Sequence, residues 1–299
     1  MAQSRTHSLI LLNPAKWAAV AELTKARLNL SVVYSALAGY FLGAGALEWL
    51  SLLLLSLGGY LVVGGANGFN QVIERERDRK MQRTQNRPIP TGRLSVMEAM
   101  VASTAMALLG LFLLYLINPL AFTFGAAALF IYAVVYTPLK AGGPLAVFVG
   151  AIPGAIPALL GWVAATNDFD IEPGTLFAIQ FLWQFTHFWA IAWVAHDDYG
   201  RAGYNLLPSG KRDAKSARQI ILYTIALVTV SILPAWGFTG SLTLSLWGGA
   251  IALLLGLGLL ALAVQLALGR QKQDARRLMI GSVVYLPLLQ LLYVIDKFI

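Results

Sequence analysis

Long apolar runs recur along the whole chain, and they constrain its fold more than any other feature. A helix that crosses the hydrocarbon core of a bilayer, about 30 Å thick, needs about 20 mostly apolar residues. By that measure the sequence predicts nine spans, near Leu28–Ala46, Leu50–Phe69, Val96–Leu116, Pro119–Thr137, Pro144–Ala165, Gly174–Ala195, Gln219–Phe238, Leu242–Leu268 and Met279–Phe298. Hydrophobic residues make up 58% of the chain and charged residues only 12%, which excludes an ordinary soluble protein. We therefore expect an all-α polytopic membrane protein, a single domain over residues 1–299, with its helices around a central cavity.

Positive charge is distributed unevenly between the predicted loops. When the chain is threaded from an inside N-terminus, the inside segments hold 21 of the 22 lysine and arginine residues, and only Lys297 lies outside. This asymmetry predicts the orientation under the positive-inside rule. The net charge of +8 therefore indicates membrane orientation, and we expect no nucleic-acid partner. Because the chain has no cysteine, disulfides and thiolate metal sites are excluded.

One polar segment, residues 67–93, lies between the second and third predicted spans and concentrates acidic, amide and basic side chains. Within it Asn70, Glu74 and Asp78 follow one another at intervals of four, which places them on one face of a helix. Such oxygen ligands suit Mg²⁺, which commonly bridges protein carboxylates to the phosphate oxygens of a substrate. Basic residues just downstream are candidates to bind the remaining phosphate charge: Lys80, Arg83 and Arg87. The alternative is a solvated, charged loop between two membrane helices.

A second polar loop follows the sixth predicted span and begins with Asp197 and Asp198. Acidic side chains at a helix C-terminus are unfavourable without a cation, so we expect either a second Mg²⁺ or a basic partner there. Exposed acids without a role are the alternative. Lys140, at the inner end of the fourth span, is either a phosphate ligand or an orientation charge. Lys25, at the start of the first span, we interpret mainly as a contact to lipid phosphates.

The sixth span contains Gln184 and His187, polar residues that are costly inside a membrane unless they face a cavity or a partner. Residues three apart share a helix face, so we expect both side chains to line one surface. A packed, hydrogen-bonded histidine is the alternative interpretation. In the fifth span, prolines and glycines, among them Gly161, predict a bent helix beside a cavity.

The row Asn70-x-x-x-Glu74-x-x-x-Asp78, followed by Met81, Arg83-Thr84 and Arg87-Pro88, resembles the first acidic motif of the UbiA-type intramembrane prenyltransferases. The arginine-rich tail of this motif, the Asp198-Tyr199 element and the Q-x-x-H pattern of the sixth span are most similar to the branch that farnesylates haem. Tyr136-Thr137-x-x-Lys140 is similar to the family's Y-T-x-x-K element. The resemblance covers residues from about Leu23 to Pro208. Thr186 stands where the family has proline.

This resemblance implies transfer of a farnesyl group from farnesyl diphosphate to a vinyl group of haem B, giving haem O, with Mg²⁺ as cofactor. It implies a bacterial inner-membrane protein with its active-site loops on the cytoplasmic side, and haem A synthase or terminal-oxidase assembly proteins as partners besides lipid. The implied catalytic residues are Asn70, Glu74, Asp78 and Asp198. The implied metal ligands are Asn70, Glu74, Asp78, Asp197 and Asp198. The implied diphosphate contacts are Lys80, Arg83, Arg87, Tyr136 and Lys140, and the implied haem contacts are Gln184 and His187.

Two alternatives stay open. The first keeps the chemistry and changes the acceptor to an aromatic acid of quinone synthesis. The second is a membrane transporter, whose charged or broken helices are expected near the bilayer midplane. In this sequence the acidic residues fall at the inner ends of the predicted spans, which favours an interfacial active site.

Overall fold

The computed structural model describes residues 14–299, and every regular element in that range is helical. The helices are α1 Pro14–Thr24, α2 Ala26–Gly43, α3 Trp49–Ile73, α4 Arg75–Asp78, α5 Val96–Ile117, α6 Pro119–Phe130, α7 Thr137–Leu139, α8 Leu145–Thr166, α9 Ile171–Val194, α10 His196–Arg201, α11 Ala214–Ile232, α12 Leu246–Gly269 and α13 Lys272–Phe298. A π-helical segment, Ile131–Tyr136, joins α6 to α7, and 3₁₀ turns extend α7 to Gly142 and α11 to Trp236.

Seven of these helical stretches are long and apolar enough to cross a membrane, which makes the protein a multi-pass membrane protein. They are α3, α5, α6 with its extension, α8, α11 with its extension, α12 and α13. The two further predicted spans coincide with α2 and α9, so a count of nine transmembrane helices stays a prediction. The first thirteen residues of the expected inside tail lie outside the described residues, and the side of the N-terminus also stays a prediction.

Helix α8 lies at the centre of the bundle, where α2, α6 and α9 pack around it. At the crossing of α2 and α8, a Cβ atom on Gly161 would overlap the carbonyl oxygen of Ala36, and one on Gly39 would overlap Ala158. Only glycine permits this close approach of the two backbones. The expectation of a cavity beside Gly161 is therefore wrong, because the two helices are in tight contact at this residue.

Two apolar cores share α8. The first is formed with α2, α3, α5 and α6, and the second with α9, α11, α12 and α13. Helix α13 closes the bundle because it packs against both α9 and α2. Helix α9 runs unbroken through Thr186, whose hydroxyl makes a buried hydrogen bond of 2.9 Å to Thr224 of α11. The threonine in the place of the family's proline thus keeps the helix regular and ties it to its neighbour.

The two ends of the bundle differ in chemistry. At one end, which we call the inner end, α3, α7 and α9 finish and the polar loops of residues 74–95 and 195–213 meet. At the opposite end α3 and α12 begin and α11 finishes, and these termini carry the largely exposed Trp49, Trp247 and Trp236. Tryptophan is enriched at membrane–water interfaces, so these side chains mark the boundary of the bilayer at that end.

Candidate active site

The acidic row lies at the inner end of α3. The helix ends at Ile73, because the backbone of Glu74 (φ −87°, ψ 4°) departs from helical geometry, and α4 then adds one more turn. The predicted single helix through the row is therefore wrong in detail. The spacing survives, since the Glu74 amide donates to the Asn70 carbonyl at 2.9 Å and the Asp78 amide to the Glu74 carbonyl at 2.8 Å. All three side chains are buried, with 3%, 1% and 0% of Asn70, Glu74 and Asp78 exposed.

Each carboxylate of the row is paired with a cation from a different part of the chain. Lys140 Nζ lies 3.1 Å from Glu74 Oε1 and donates a hydrogen bond to Oε2 at 3.2 Å. Arg87 Nη1 donates to Asp78 Oδ2 at 2.7 Å. Buried ion pairs carry a desolvation cost, so they are weak evidence for a purely stabilising role. Ionisable groups at the end of a membrane helix indicate a functional site instead.

The π-helical segment explains how Lys140 reaches the row. Thr137 Oγ1 donates to the Tyr132 carbonyl at 2.8 Å, and Asn70 Nδ2 donates to the same hydroxyl at 3.3 Å. The wider π turn shifts the register of α7, so Thr137 and Lys140 both face α3, and Lys140 is only 8% exposed. Single π turns of this kind are frequent at functional sites.

Asp78 Oδ1 is buried and accepts no hydrogen bond, whereas the buried Glu74 Oε1 has its ion contact with Lys140. The unsatisfied Asp78 oxygen is costly, and a cation that ligates it would remove that cost. Carboxylate and amide oxygens are the ligands that Mg²⁺ prefers, so the row fits this ion chemically. Among residues 14–299, no cluster of three or more acidic, histidine or cysteine side chains is close enough to form a complete metal site. Substrate oxygens would have to complete the coordination.

Lys25 adds a third cation, which our sequence interpretation assigned to lipid. Its backbone is left-handed (φ 56°), at the junction of α1 and α2, and its Nζ donates to Asn67 Oδ1 at 3.0 Å. Burial and, after it, the nearby charges of Arg87 and Lys140 lower the pKa of Lys25 to about 7, and the acidic neighbours Glu74 and Asp78 oppose this by less. The interpretation was wrong because apolar spacing does not reveal the left-handed turn that directs this side chain inward.

The second polar loop is joined to the first through Asp198. Its carboxylate accepts the backbone amides of Gln82 at 2.9 Å and Arg83 at 3.3 Å, and it forms an ion pair with Arg201. Burial raises the pKa of Asp198, but these hydrogen bonds outweigh burial, so its pKa lies below the ordinary value. Asp197 is exposed and pairs with Arg212 at 3.1 Å. For these two aspartates we expected either a basic partner or a second Mg²⁺. Both have a basic partner, and metal ligation by either aspartate stays a prediction.

Two tyrosine rings of the second loop contact basic side chains of the site. Lys140 Nζ lies 4.8 Å from the centre of the Tyr204 ring, and the Arg83 guanidinium lies 5.6 Å from the centre of the Tyr199 ring. These distances are typical of cation–π contacts. Sequence reasoning missed Tyr204, although its position in the second loop, six residues after Asp198, was a signal.

Two other predicted diphosphate contacts, Lys80 and Tyr136, form no ion pair or hydrogen bond with the acidic row. Lys80 is exposed, and the ring of Tyr136 packs on Gly150 of α8 and on Tyr132. A cavity of about 500 Å³ opens at the inner surface, lined by residues of both loops including Arg83 and Asp198. The two polar loops therefore form one continuous surface at the inner end.

Gln184 and His187 face different neighbours. Gln184 Nε2 donates to the Gly154 carbonyl of α8 at 2.9 Å, whereas His187 Nδ1 lies 2.9 Å from Ser282 Oγ of α13. The expectation of one shared surface was wrong, because α8 and α13 flank α9 on adjoining sides and each takes one of the two side chains.

Comparison with known proteins places this geometry in a family. The model of the UbiA prenyltransferase family matches residues 32–287. The chain belongs to this family. A protein of Christiangramia forsetii named protoheme IX farnesyltransferase is 54% identical over 278 residues, which cover 93% of this chain and 93% of that protein. The resemblance inferred from the sequence motifs is thereby confirmed.

Solved structures of UbiA-family proteins have the same fold. A digeranylgeranylglyceryl phosphate synthase superposes with a TM-score of 0.78 at 18% identity, over 94% of this chain and 98% of that one. A UbiA homologue from Archaeoglobus fulgidus, bound to GPP and Mg²⁺, superposes with a TM-score of 0.68 at 16% identity, over 92% and 99% of the two chains. At these identities the likeness shows the fold alone, and it confirms the predicted all-α membrane architecture.

Proposed function

We propose that this UbiA-family protein transfers a farnesyl group from farnesyl diphosphate to a vinyl group of haem B, in a Mg²⁺-dependent reaction. The observation that carries the proposal is the buried acidic row, in which each carboxylate has a cation beside it and Asp78 has one oxygen without a hydrogen bond. The acceptor is supported by relatives named protoheme IX farnesyltransferase at 49% to 54% identity.

We assign one Mg²⁺ to Asn70, Glu74 and Asp78, and a second Mg²⁺ to Asp197 and Asp198 of the second loop. Bound there, the ions would supply Lewis-acid neutralisation of the diphosphate leaving group. The Asp78 oxygen without a hydrogen bond is the reason for placing the first ion in the row. The Archaeoglobus fulgidus homologue bound to GPP and Mg²⁺ supports a metal-dependent reaction in this fold.

The basic residues of the site bind the diphosphate. Lys140 and Arg87 pair with carboxylates in the free protein, and they exchange these for phosphate oxygens when the substrate enters. Arginine binds phosphate in a bidentate manner, so Arg87 also orients the leaving group. Arg83 and Lys80, both exposed, complete the binding surface at the loop, and Tyr136 supports Lys140 from the preceding turn.

Transfer then proceeds by ionisation. The bond between C1 of the farnesyl group and the diphosphate oxygen breaks, and the electron pair leaves with the diphosphate held by Lys140 and Arg87. The π electrons of the haem vinyl group attack the allylic cation, and water adds to the remaining vinyl carbon with loss of a proton, giving haem O. The tyrosine rings beside Lys140 present faces that already hold a cation, and the apolar bundle excludes water from the allylic cation before attack.

The charge asymmetry supports the orientation, and the bacterial relatives support the setting. We propose nine spans in one domain of the bacterial inner membrane, with an inside N-terminus and the acidic row on the cytoplasmic side. Farnesyl diphosphate then enters from the cytoplasm and haem B from the bilayer, with His187 and Gln184 as the haem contacts. Association with haem A synthase or terminal-oxidase assembly proteins stays a prediction.

Product analysis tests the proposal. Purified protein in detergent is incubated with farnesyl diphosphate, Mg²⁺ and either haem B or 4-hydroxybenzoate, and products are identified by mass spectrometry. We expect haem that has gained a farnesyl group and a hydroxyl group, and no prenylated benzoate. Glu74→Gln should abolish the product, whereas the exposed Glu76→Gln, two residues away, should retain it. Prenylated benzoate with unmodified haem would establish the quinone alternative. If neither acceptor gives a product, the transporter alternative remains.

A further inference from the structure

His187 belongs to a chain of hydrogen bonds that determines its tautomer. Its Nδ1 lies 2.9 Å from Ser282 Oγ, and the Ser282 hydroxyl donates to the Met279 carbonyl at 2.7 Å. A serine hydroxyl has a single proton, and in Ser282 this proton is donated in the hydrogen bond to the Met279 carbonyl. Ser282 Oγ is therefore the acceptor toward the imidazole, and Nδ1 carries the proton.

The bare nitrogen of this tautomer is Nε2. A charged imidazolium inside an apolar bundle would be costly, so the ring is neutral and only one nitrogen is protonated. Among residues 14–299 no side chain or backbone group makes a hydrogen bond to His187 Nε2, and the ring is only partly buried. A neutral imidazole with a free nitrogen is a common ligand of iron.

The orientation of the ring is fixed by the same serine. The indole of Trp183 stacks on the imidazole with 4.7 Å between ring centres and 10° between ring planes. Trp183 Nε1 donates to the Ser282 carbonyl at 2.7 Å. One residue of α13 thus holds both the imidazole, through its hydroxyl, and the indole stacked on it, through its backbone.

We propose that Ser282 is a positioning residue for haem: it fixes His187 in the Nδ1–H tautomer and directs Nε2 to the iron of the haem acceptor. The inference rests on the proposed function, because haem is the substrate that brings the iron. Histidines that ligate a metal through one nitrogen generally donate the other N–H to a partner, and loss of that partner typically weakens metal affinity about 10- to 100-fold.

Titration of ferric haem B into the purified protein, without farnesyl diphosphate, tests the role of Ser282. The wild type should give the absorption spectrum of a histidine-ligated haem, and His187→Ala should lose it. Ser282→Ala should weaken haem affinity about 10-fold or more and shift the spectrum. Ser282→Thr keeps the hydroxyl and should behave as wild type. Ser282→Val has the shape of the threonine variant but no hydroxyl, and it should behave as the alanine variant. This pair decides the question even if Ser282→Ala fails to fold.

A matched control is Ser231→Ala in α11. Ser231 is also a buried serine that donates to a backbone carbonyl and accepts from an aromatic residue, the hydroxyl of Tyr285, but it has no contact with His187. It should keep the haem spectrum and affinity. The proposal is overturned if Ser282→Val binds haem as Ser282→Thr does, or if Ser231→Ala causes an equal loss. Because binding is measured without turnover, this result is independent of farnesyl transfer, and failure of the proposed function would appear separately as a wild-type protein that makes no farnesylated haem.

Discussion

Arg87→Met is predicted to destabilise the protein severely, because it leaves a fully buried carboxylate without its cation. The Asp78 side chain is 0% exposed, and Arg87 is its only ion-pair partner among the described residues. Without Arg87 neither carboxylate oxygen of Asp78 would have a hydrogen bond, since Oδ1 has none already. Removing one partner of a buried ion pair costs about 3–5 kcal/mol.

The double variant Asp78→Asn/Arg87→Met separates stability from catalysis. Removal of both charges leaves no unpaired ion, so the free energy of unfolding should recover most of the loss. Activity should stay absent, because the acid and the arginine are both assigned to the diphosphate site. The control is Arg79→Met, which breaks the exposed pair with Glu76 and should change the free energy of unfolding by less than about 1 kcal/mol.

Denaturant titration in mixed micelles, followed by circular dichroism, measures these free energies of unfolding. Farnesyl transfer is measured in the same preparations. The reasoning is refuted if Arg87→Met is as stable as Arg79→Met, since the buried Asp78 carboxylate would then not need Arg87 to neutralise it. It is also refuted if the double variant regains farnesyl transfer.

Three further predictions follow from the site and the topology. Glu74→Gln should lower kcat by about 100-fold or more, measured by steady-state kinetics on protein that a thermal melt shows to be folded. Because the pKa of Lys25 is lowered to about 7, this group is partly neutral near pH 7 and takes up a proton when an anion binds. The affinity for inorganic diphosphate should therefore fall as pH rises through 7, and Lys25→Met should flatten this step in a calorimetric titration. Reporters fused after Ser95 and Ser209 should report the cytoplasmic side and one after Asp168 the outside; the reverse pattern would detach the site from cytoplasmic diphosphate.

The sequence was sufficient for the features that depend on local periodicity. Apolar runs of bilayer length predicted the helical bundle, and the interval of four between Asn70, Glu74 and Asp78 predicted a stacked row that persists despite the helix break at Glu74. The features that the sequence did not predict depend on contacts between distant segments. The inward turn of Lys25 depends on a left-handed backbone, and a single sequence does not distinguish this from an ordinary helix start.

Tertiary packing also decided the surroundings of the sixth span. Gln184 and His187 are close enough in sequence to share a helix face, but α8 and α13 meet α9 on adjoining sides and separate them. Ser282 lies 95 residues from His187 and carried no sequence signal, because serine is common in membrane helices. Asp198 gave a correct signal of a charged partner, yet its bonds to the Gln82 and Arg83 amides depend on how the loops fold.

Metal binding to the buried acidic row is the central claim, and pulsed electron paramagnetic resonance with Mn²⁺ in place of Mg²⁺ tests it most directly. With inorganic diphosphate present, we expect a protein-bound Mn²⁺ signal with coupling to phosphorus nuclei. That signal should weaken in Glu74→Gln and in Asp78→Asn and keep its full intensity in Glu76→Gln. An Mn²⁺ signal with phosphorus coupling that keeps its wild-type intensity in both row variants would contradict the account, because no metal would then lie in the row.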